Sequence, residues 1–326
     1  MIIGIDGGGT KTTGVVVDAQ GTVLKMATVG PTNPNSSSEE IILTQLQELF
    51  SQLLQGKALS GVDLVFAGIS GAESGGKKEW FKELLVSLLG AKPTINVDND
   101  AITALYSETK GEPGIVCISG TGSIAFGVNE KLERGRVGGW GYLINDGYSG
   151  FTIGKNILEY VFEKYDAGGQ EPCRLTEEVL GHFGVRVMSE LVPLVYEMGK
   201  TRDRIASLAR IAVVRSNQGD HLCTSFIEDA ARAMLRDIHV LFEKLMKDTA
   251  GQNSVPIILT GGIGQHAEAM KDYLHSEAHS AGLPFLFKRA AIPPIVGTVY
   301  AALRESGEKA SDDFIAKFEG YFQFCR

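Results

Sequence analysis

The sequence has few cysteines and no long apolar run. Its four cysteines lie 50 or more residues apart and form no C-x-x-C pair, so neither a zinc ribbon nor a disulfide framework is expected. No stretch of 18 or more residues stays apolar, which excludes a conventional membrane-spanning helix. The first residues lack the basic n-region of a secretory signal. We therefore expect a protein of the reduced cytoplasm with no membrane partner.

Blocks of basic residues are also missing. The 326-residue chain has 31 Lys and Arg against 39 Asp and Glu, a formal net charge of −8. An acidic chain of this kind is a poor partner for nucleic acid or an anionic membrane surface, so we expect neither. Hydrophobic residues make up 44 % of the chain, enough to bury the cores of two domains.

Glycine is the residue in excess, with 40 in the chain. The glycines are clustered, and each cluster follows or interrupts a β-rich apolar segment instead of forming a long Gly/Ser linker. This pattern predicts loops in which the backbone comes close to a ligand.

The order of predicted elements indicates two α/β domains. A β-hairpin followed by alternating strands and helices fills residues 1–113, and the tail 312–326, amphipathic or strand-like, is predicted to pack back on this domain. Residues 114–311 repeat the strand, glycine loop and strand of the opening, then continue into a long helical stretch. The repeat predicts a duplicated fold with a cleft between the halves, where ligands bind.

The first glycine cluster runs from Asp6 to Thr12 between two predicted strands. A P-loop or a Rossmann turn would lead into a helix, so this segment is neither. A glycine turn in a hairpin exposes consecutive amides that suit phosphate, and three glycines exceed what an ordinary tight turn requires. The predicted phosphate contacts are Gly8, Gly9, Thr10 and Lys11, with Asp6 holding Mg²⁺ through water.

Two later clusters extend the predicted nucleotide site. Gly120, Thr121 and Gly122 stand at the equivalent place in the repeat, although Gly-Thr-Gly alone is most often a simple bend. Gly261 and Gly262 follow a predicted strand and are candidates for nucleotide contact; the alternative is a plain strand-to-helix turn.

Acidic residues flank Asn99 at a predicted strand end that opens a helix. An acid there can be an N-cap, but it is also where a general base for a hydroxyl nucleophile would stand. We prefer Asp100 as the base and Asp98 as structural or metal-adjacent, and the sequence alone does not separate them. Asp146, which lies in a glycine-rich segment after Trp140, is a candidate for bonding sugar hydroxyls.

Together these segments resemble the actin-like ATPase and sugar-kinase superfamily, and most closely its N-acetylglucosamine kinase branch, grouped with the BadF/BadG/BcrA/BcrD ATPases. The resemblance is carried by GIDGGGTKT (4–12), NDA (99–101), SGTGS (119–123), GGWG (138–141) and TGGI (260–263). It implies two actin-like (ribonuclease H-like) α/β domains with an interdomain cleft and helical additions in the second domain.

The resemblance also implies roles for individual residues. The two glycine loops would hold the phosphates of ATP, Asp100 would be the base, and Gly261 and Gly262 would lie near the adenosine. Sugar contacts would fall on Asn33, Ser70 and Asp146. The chain departs from the family pattern where Asn145-Asp146-Gly147-Tyr148 replaces Gly-Asp-Glu-Gly, and where Ile124 replaces an asparagine.

The implied activity is Mg²⁺- and ATP-dependent phosphorylation of an N-acetylated amino sugar, N-acetylglucosamine or N-acetylmuramate, at the 6-hydroxyl. The resemblance further implies a place in amino-sugar metabolism and cell wall recycling, and a homodimer. Two alternatives stay open: an ATPase that drives a partner protein, and a non-catalytic sugar-binding sensor. The first is disfavoured because relatives of that kind hold an iron–sulfur cluster on paired cysteines, which this chain lacks.

Overall fold

The structure, a computed structural model, describes residues 1–55, 61–73, 75–168, 173–247 and 254–323. The chain divides into two compact units: Met1–Glu112 together with Ala290–Arg326, and Pro113–Arg289. The sequence places residues 290–311 in the second domain, whereas in the structure they pack with the first unit. Within the described residues, no helix has both the length and the apolar character to cross a membrane.

The first unit is built on a five-stranded sheet. Its elements are β1 (Ile2–Gly7), β2 (Thr12–Val17), β3 (Val23–Val29), α1 (Glu39–Leu53), β4 (Leu64–Ile69), α2 (Lys77–Leu89), β5 (Thr94–Asp98), α3 (Asp100–Thr109), α12 (Pro294–Glu305) and α13 (Asp312–Gln323). The strand order is β3-β2-β1-β4-β5. The pairs β1/β2 and β2/β3 are antiparallel, whereas the pairs β1/β4 and β4/β5 are parallel. The central strand β1 is almost wholly buried, as expected for a strand covered on both faces.

The second unit repeats this topology and adds helices. Its elements are β6 (Gly114–Ser119), β7 (Ser123–Val128), β8 (Arg134–Gly138), α4 (Gly150–Asp166), α5 (Arg174–Phe183), α6 (Leu191–Val195), α7 (Thr201–Ser207), α8 (Ala209–Asn217), α9 (His221–Leu245), β9 (Val255–Thr260), α10 (Gly261–His266), α11 (Glu268–Ser280) and β10 (Phe285–Arg289). The strand order β10-β9-β6-β7-β8 matches that of the first sheet, with the antiparallel hairpin on one side and two parallel strands on the other. The predicted α/β class and the helical additions between β8 and β9 are confirmed.

The start of α1 differs from the sequence prediction. The sequence Ser36-Ser37-Ser38-Glu39 has the capping-box pattern, Ser-x-x-Glu, which would place the N-cap at Ser36. In the structure the N-cap is Ser38, whose hydroxyl accepts a hydrogen bond from the Ile41 amide. The amides of Ser36 and Ser37 instead donate to the Asn33 carbonyl, so a turn occupies the residues in front of the helix. The helix therefore begins two residues later than the pattern suggests.

The position of α12 depends on close backbone packing. A Cβ on Gly297 would collide with the Thr103 carbonyl of α3, so the two helices approach as only glycine permits. The tail is helical up to Gln323, and its Phe314, Phe318 and Phe322 are buried; the Phe318 ring lies 5.8 Å from that of Tyr300 on α12. Residues 324–326 of the predicted tail lie outside the described residues.

Candidate functional site

The first glycine turn joins β1 to β2 in the first unit. The Gly8 amide donates to the Lys11 carbonyl at 3.0 Å, and the Gly8 carbonyl accepts from the Thr32 amide at 3.1 Å. The amides of Gly9 and Thr10 donate no hydrogen bond to another described residue. Gly9, Thr10 and Lys11 are exposed, so the turn presents unpaired donors and a cation to solvent. This is the arrangement that an anion such as phosphate requires.

Two carboxyl groups lie close behind this turn, that of Asp6 on β1 and that of Asp100 at the start of α3. Burial, together with the negative charge of Asp100, raises the pKa of Asp6 to about 7, while a hydrogen bond with Thr103 and the charge of Lys11 act in the opposite direction. Burial also raises the pKa of Asp100 above its usual range, although a hydrogen bond with the Ser70 hydroxyl favours its ionised form. The site thus carries an excess of negative charge, which a cation would relieve.

This charge balance bears on the predicted magnesium. No group of three or more metal-binding side chains occurs among the described residues, so nothing in that part of the chain forms an all-protein cage. Mg²⁺ is commonly held by one or two carboxylates plus the phosphates of a substrate. The partly buried carboxyl of Asp6, with its raised pKa, fits that kind of site.

Asp98, the other acidic residue beside Asn99, has a different environment. It is 3 % exposed and forms an ion pair with Lys78 of α2. Its Oδ1 also accepts the Asn99 amide at 2.8 Å, and the Asn99 side chain caps α3 by accepting from the Ala101 amide at 2.7 Å. These bonds occupy Asp98 in the structure, whereas the Asp100 carboxyl lies near enough to those of Asp6 and Glu73 to interact with them electrostatically.

The predicted sugar contacts of the first unit lie at the same edge of the sheet. The Asn33 Oδ1 accepts from the Asn35 amide at 2.8 Å and lies 2.7 Å from the point where a Cβ on Gly71 would stand. The Ser70 amide donates to the Gly7 carbonyl at 2.8 Å, and its hydroxyl bonds to Asp100. The carboxyl ends of β1 and β4 therefore bring together the first glycine turn, Asn33, Ser70 and Asp100.

The second glycine turn joins β6 to β7 in the second unit. Its Gly120 amide donates to the Gly122 carbonyl at 3.0 Å, and the N-terminal amides of α4 bind the Gly120 and Thr121 carbonyls at 2.7 and 3.3 Å. The Thr121 and Gly122 amides donate to no other described residue, so this turn also offers free donors. The sequence predicted the first turn from its three glycines, and the second from a Gly-Thr-Gly segment at the equivalent place in the repeat.

The Thr-Gly-Gly segment after β9 lies next to the second turn. Gly261 has φ 84°, and a Cβ there would lie 3.0 Å from the Gly120 amide nitrogen, so its backbone is in contact with the turn. Gly262 is exposed, with no atom near the place of a Cβ. The candidate nucleotide contacts of the second unit are thus neighbours in space.

Asp146 lies beneath the second turn and is 6 % exposed. Its Oδ1 accepts from the Ser123 amide at 2.5 Å and from the Ser123 hydroxyl at 2.9 Å. Its Oδ2 is buried and has no hydrogen-bond partner among the described residues. The carboxylate therefore anchors the turn, and its predicted contact with a sugar would require Oδ2 to become accessible.

Tyr148, where the sequence departs from the family pattern, is buried beneath the second glycine turn. It is 1 % exposed and packs in the core of the second unit, and its carbonyl accepts a hydrogen bond from the Ser119 hydroxyl at 2.5 Å. Burial is the largest reason that the pKa of its phenol is raised. The tyrosine is a core residue next to the turn and takes up no space at its open side.

Sequence reasoning missed Arg202, the second residue of α7. Its Nη2 lies 2.7 Å from the position that a Cβ on Gly122 would occupy. Eighty residues of chain separate the two, and no motif marks Arg202, so only the fold could reveal this proximity.

A family model described as the BadF/BadG/BcrA/BcrD ATPase family matches residues 3–283. The chain belongs to this family. It is 32 % identical over 263 residues to the N-acetylmuramic acid/N-acetylglucosamine kinase of Clostridium acetobutylicum, covering 80 % of this chain and 84 % of that protein. It is also 32 % identical to the N-acetyl-D-glucosamine kinase of Dictyostelium discoideum, over 84 % of this chain and 88 % of that protein.

Solved structures agree with the fold of this family member. A Porphyromonas gingivalis protein superposes with a TM-score of 0.67 at 21 % identity, covering 94 % of this chain and all of that one. A ROK family glucokinase from Streptomyces griseus, in complex with glucose and AMPPNP, superposes with a TM-score of 0.51 at 21 % identity, over 92 % of this chain and 97 % of that one. At these identities the likeness establishes the fold alone, that of two α/β units, each built on a five-stranded sheet.

Proposed function

We propose that this chain is an ATP-dependent kinase that phosphorylates an N-acetylated amino sugar, N-acetylglucosamine or N-acetylmuramate, at its 6-hydroxyl. One observation carries the proposal: a carboxyl of raised pKa, Asp100, bonds to Ser70 at the strand edge that also bears a glycine turn with free amides. The names of two relatives that are 32 % identical over most of the chain support this class of substrate.

The two glycine turns would hold the phosphates of ATP. Their unpaired amides, with the Thr10 hydroxyl and the Lys11 cation, offer the donors and positive charge that a polyphosphate needs. Gly261 and Gly262 would contact the adenosine, and Asp6 would hold Mg²⁺ through water. Mg²⁺ supplies neutralisation of the phosphate charge when bound.

Asp100 would accept the proton of the sugar hydroxyl. As the hydroxyl oxygen forms its bond to the γ-phosphorus, the bond from that phosphorus to the β,γ-bridging oxygen breaks and ADP leaves. The proton moves to the Asp100 carboxylate, and the burial that raises its pKa makes that carboxylate a better acceptor. A base of this kind contributes about 10²–10⁴-fold to the rate, and positioning and electrostatics supply the rest.

Sugar recognition would use Asn33 and Ser70, which lie at the same edge as Asp100, and Asp146 of the second unit. A role in cell wall recycling, a homodimer and a cytoplasmic location stay predictions that rest on the family resemblance.

The proposal is tested by ADP release from Mg-ATP with N-acetylglucosamine, N-acetylmuramate, glucosamine, glucose and no sugar. Strong release with one N-acetylated sugar and little without sugar would support the kinase. Equal release in every reaction would favour an ATPase that acts on a partner protein. No release with any sugar, combined with sugar binding in calorimetry, would favour a sensor.

A further inference from the structure

Arg202 lies against the second glycine turn of the same unit. The place of a Cβ on Gly122 is 2.7 Å from the Arg202 Nη2 and 3.3 Å from the Asp146 Oδ2, so both charged groups meet the turn at one glycine. Arg202 is exposed and forms no ion pair or hydrogen bond with another described residue. Its guanidinium therefore retains all its donors for another partner.

The backbone around α7 fixes the start of this helix near the turn. Gly154 of α4 leaves no room for a Cβ beside the Ile205 carbonyl, and a Cβ on Gly150 would lie 3.0 Å from the Ala206 carbonyl. The same end of α4 holds the turn, because the Gly150 amide donates to the Gly120 carbonyl at 2.7 Å. One helix thus contacts both the turn and the segment that bears Arg202.

A cation beside the second glycine turn would reduce the repulsion between a bound phosphate and the Asp146 carboxylate. A phosphate on the Thr121 and Gly122 amides would lie near the buried carboxylate of Asp146, whose Oδ2 has no hydrogen-bond partner among the described residues. The negative charges of the phosphate and of the Asp146 carboxylate would repel each other, and the repulsion is stronger where water is excluded. Arg202 reaches the same glycine, and its planar fork of donors suits both carboxylate and phosphate.

We propose that Arg202 is a phosphate-binding residue of the nucleotide site, which neutralises Asp146 and binds the phosphates held by the second glycine turn. This role rests on the proposed function, because it takes the nucleotide to be the ligand of that turn. A side chain at Gly122 would occupy the present place of the Arg202 guanidinium and displace it.

The first test compares ADP with adenosine in calorimetry, using wild type, Arg202→Gln and Arg202→Lys. We expect Arg202→Gln to weaken ADP binding by about ten- to a hundredfold and to leave adenosine binding unchanged, because adenosine carries no phosphate. Arg202→Lys should recover part of the loss. The control is Arg210→Gln, which removes an exposed arginine of α8 and should bind ADP as wild type does. Equal loss for ADP and adenosine, or no loss for ADP, would overturn the proposal.

The second test asks whether Asp146 repels the phosphate when the arginine is gone. Asp146→Asn keeps an oxygen for Ser123 but removes the charge, so the double variant should bind ADP several-fold more tightly than Arg202→Gln alone. Additive losses in the double variant would contradict the electrostatic role. Both tests measure binding without turnover: wild type that binds ADP but phosphorylates no sugar would count against the kinase alone, not against Arg202.

Discussion

Lys78 on α2 forms an ion pair with the buried carboxylate of Asp98 at the end of β5. Asp100, two residues further on, forms no ion pair with another residue that the structure describes, and the negative charge of Glu73 lies near it. The two acidic residues around Asn99 thus have different surroundings: Asp98 is paired with a cation within the fold, whereas Asp100 is the residue proposed as the base. The sequence alone left this choice open.

Asp100→Asn should abolish most of the sugar phosphorylation and leave nucleotide binding intact. The amide cannot accept the hydroxyl proton, so kcat should fall about 10²–10⁴-fold while the Kd for ADP stays within about twofold. Asp313→Asn is the control, because it changes an exposed acid in the first turn of α13. Unchanged turnover in Asp100→Asn would remove Asp100 from the role of base.

Lys78→Met should destabilise the protein more than the neighbouring Lys77→Met. Loss of Lys78 breaks the ion pair of a buried carboxylate, and we expect the free energy of unfolding to fall by about 2–3 kcal/mol. Lys77 is as exposed as Lys78 but pairs with the exposed Glu39, so its loss should change the free energy by less than about 1 kcal/mol. Urea titrations of both variants measure the difference. Equal effects would mean that the Asp98 pair contributes no more than a surface pair.

The raised pKa of Asp6 predicts a specific dependence of stability on pH. In the folded protein the pKa of this carboxyl is about 7, whereas the ordinary pKa of an aspartate is 3.8. Between those values the folded state binds more protons than the unfolded state, so the free energy of unfolding falls as the pH rises. Asp6→Asn should lose this contribution, and its stability relative to wild type should rise by up to about 1.4 kcal/mol per pH unit in that window. A constant difference between the two proteins from pH 4.5 to 7 would show that the pKa is not raised.

The close packing of α12 on α3 can be tested with a matched pair of glycines. Gly297→Ala would place a methyl group against the Thr103 carbonyl, and we expect a loss of about 2 kcal/mol or more. Gly320→Ala lies in α13 with open space around it, and alanine there should stabilise by up to about 1 kcal/mol through helix propensity. Thermal unfolding of both variants gives the comparison. A neutral Gly297→Ala would contradict the observed contact.

Local patterns predicted much of the fold and of the candidate site. The glycine turns of the hairpins and the acidic residue after β5 could be recognised from the sequence, because turns and strand ends are specified by neighbouring residues. The predicted hairpin followed by alternating strands and helices, and its repeat at the start of the second unit, are confirmed, as expected for elements with clear apolar periodicity.

Features that depend on tertiary packing were not predictable in this way. The sequence does not show that α12 joins the first unit, because this follows from a backbone contact between Gly297 and Thr103. It likewise does not show that Tyr148 is a core residue or that Arg202 reaches the second glycine turn. These contacts join segments that are far apart in the chain, so no local sequence pattern predicts them.

The most direct test of the kinase is the ratio of sugar phosphate formed to ADP released, measured by mass spectrometry and a coupled ADP assay with N-acetylglucosamine and N-acetylmuramate. We predict one sugar phosphate for each ADP with at least one of these sugars, with the phosphate on the 6-oxygen and negligible ADP without sugar. ADP release that produces no sugar phosphate would contradict the account and make this chain an ATPase whose energy goes elsewhere.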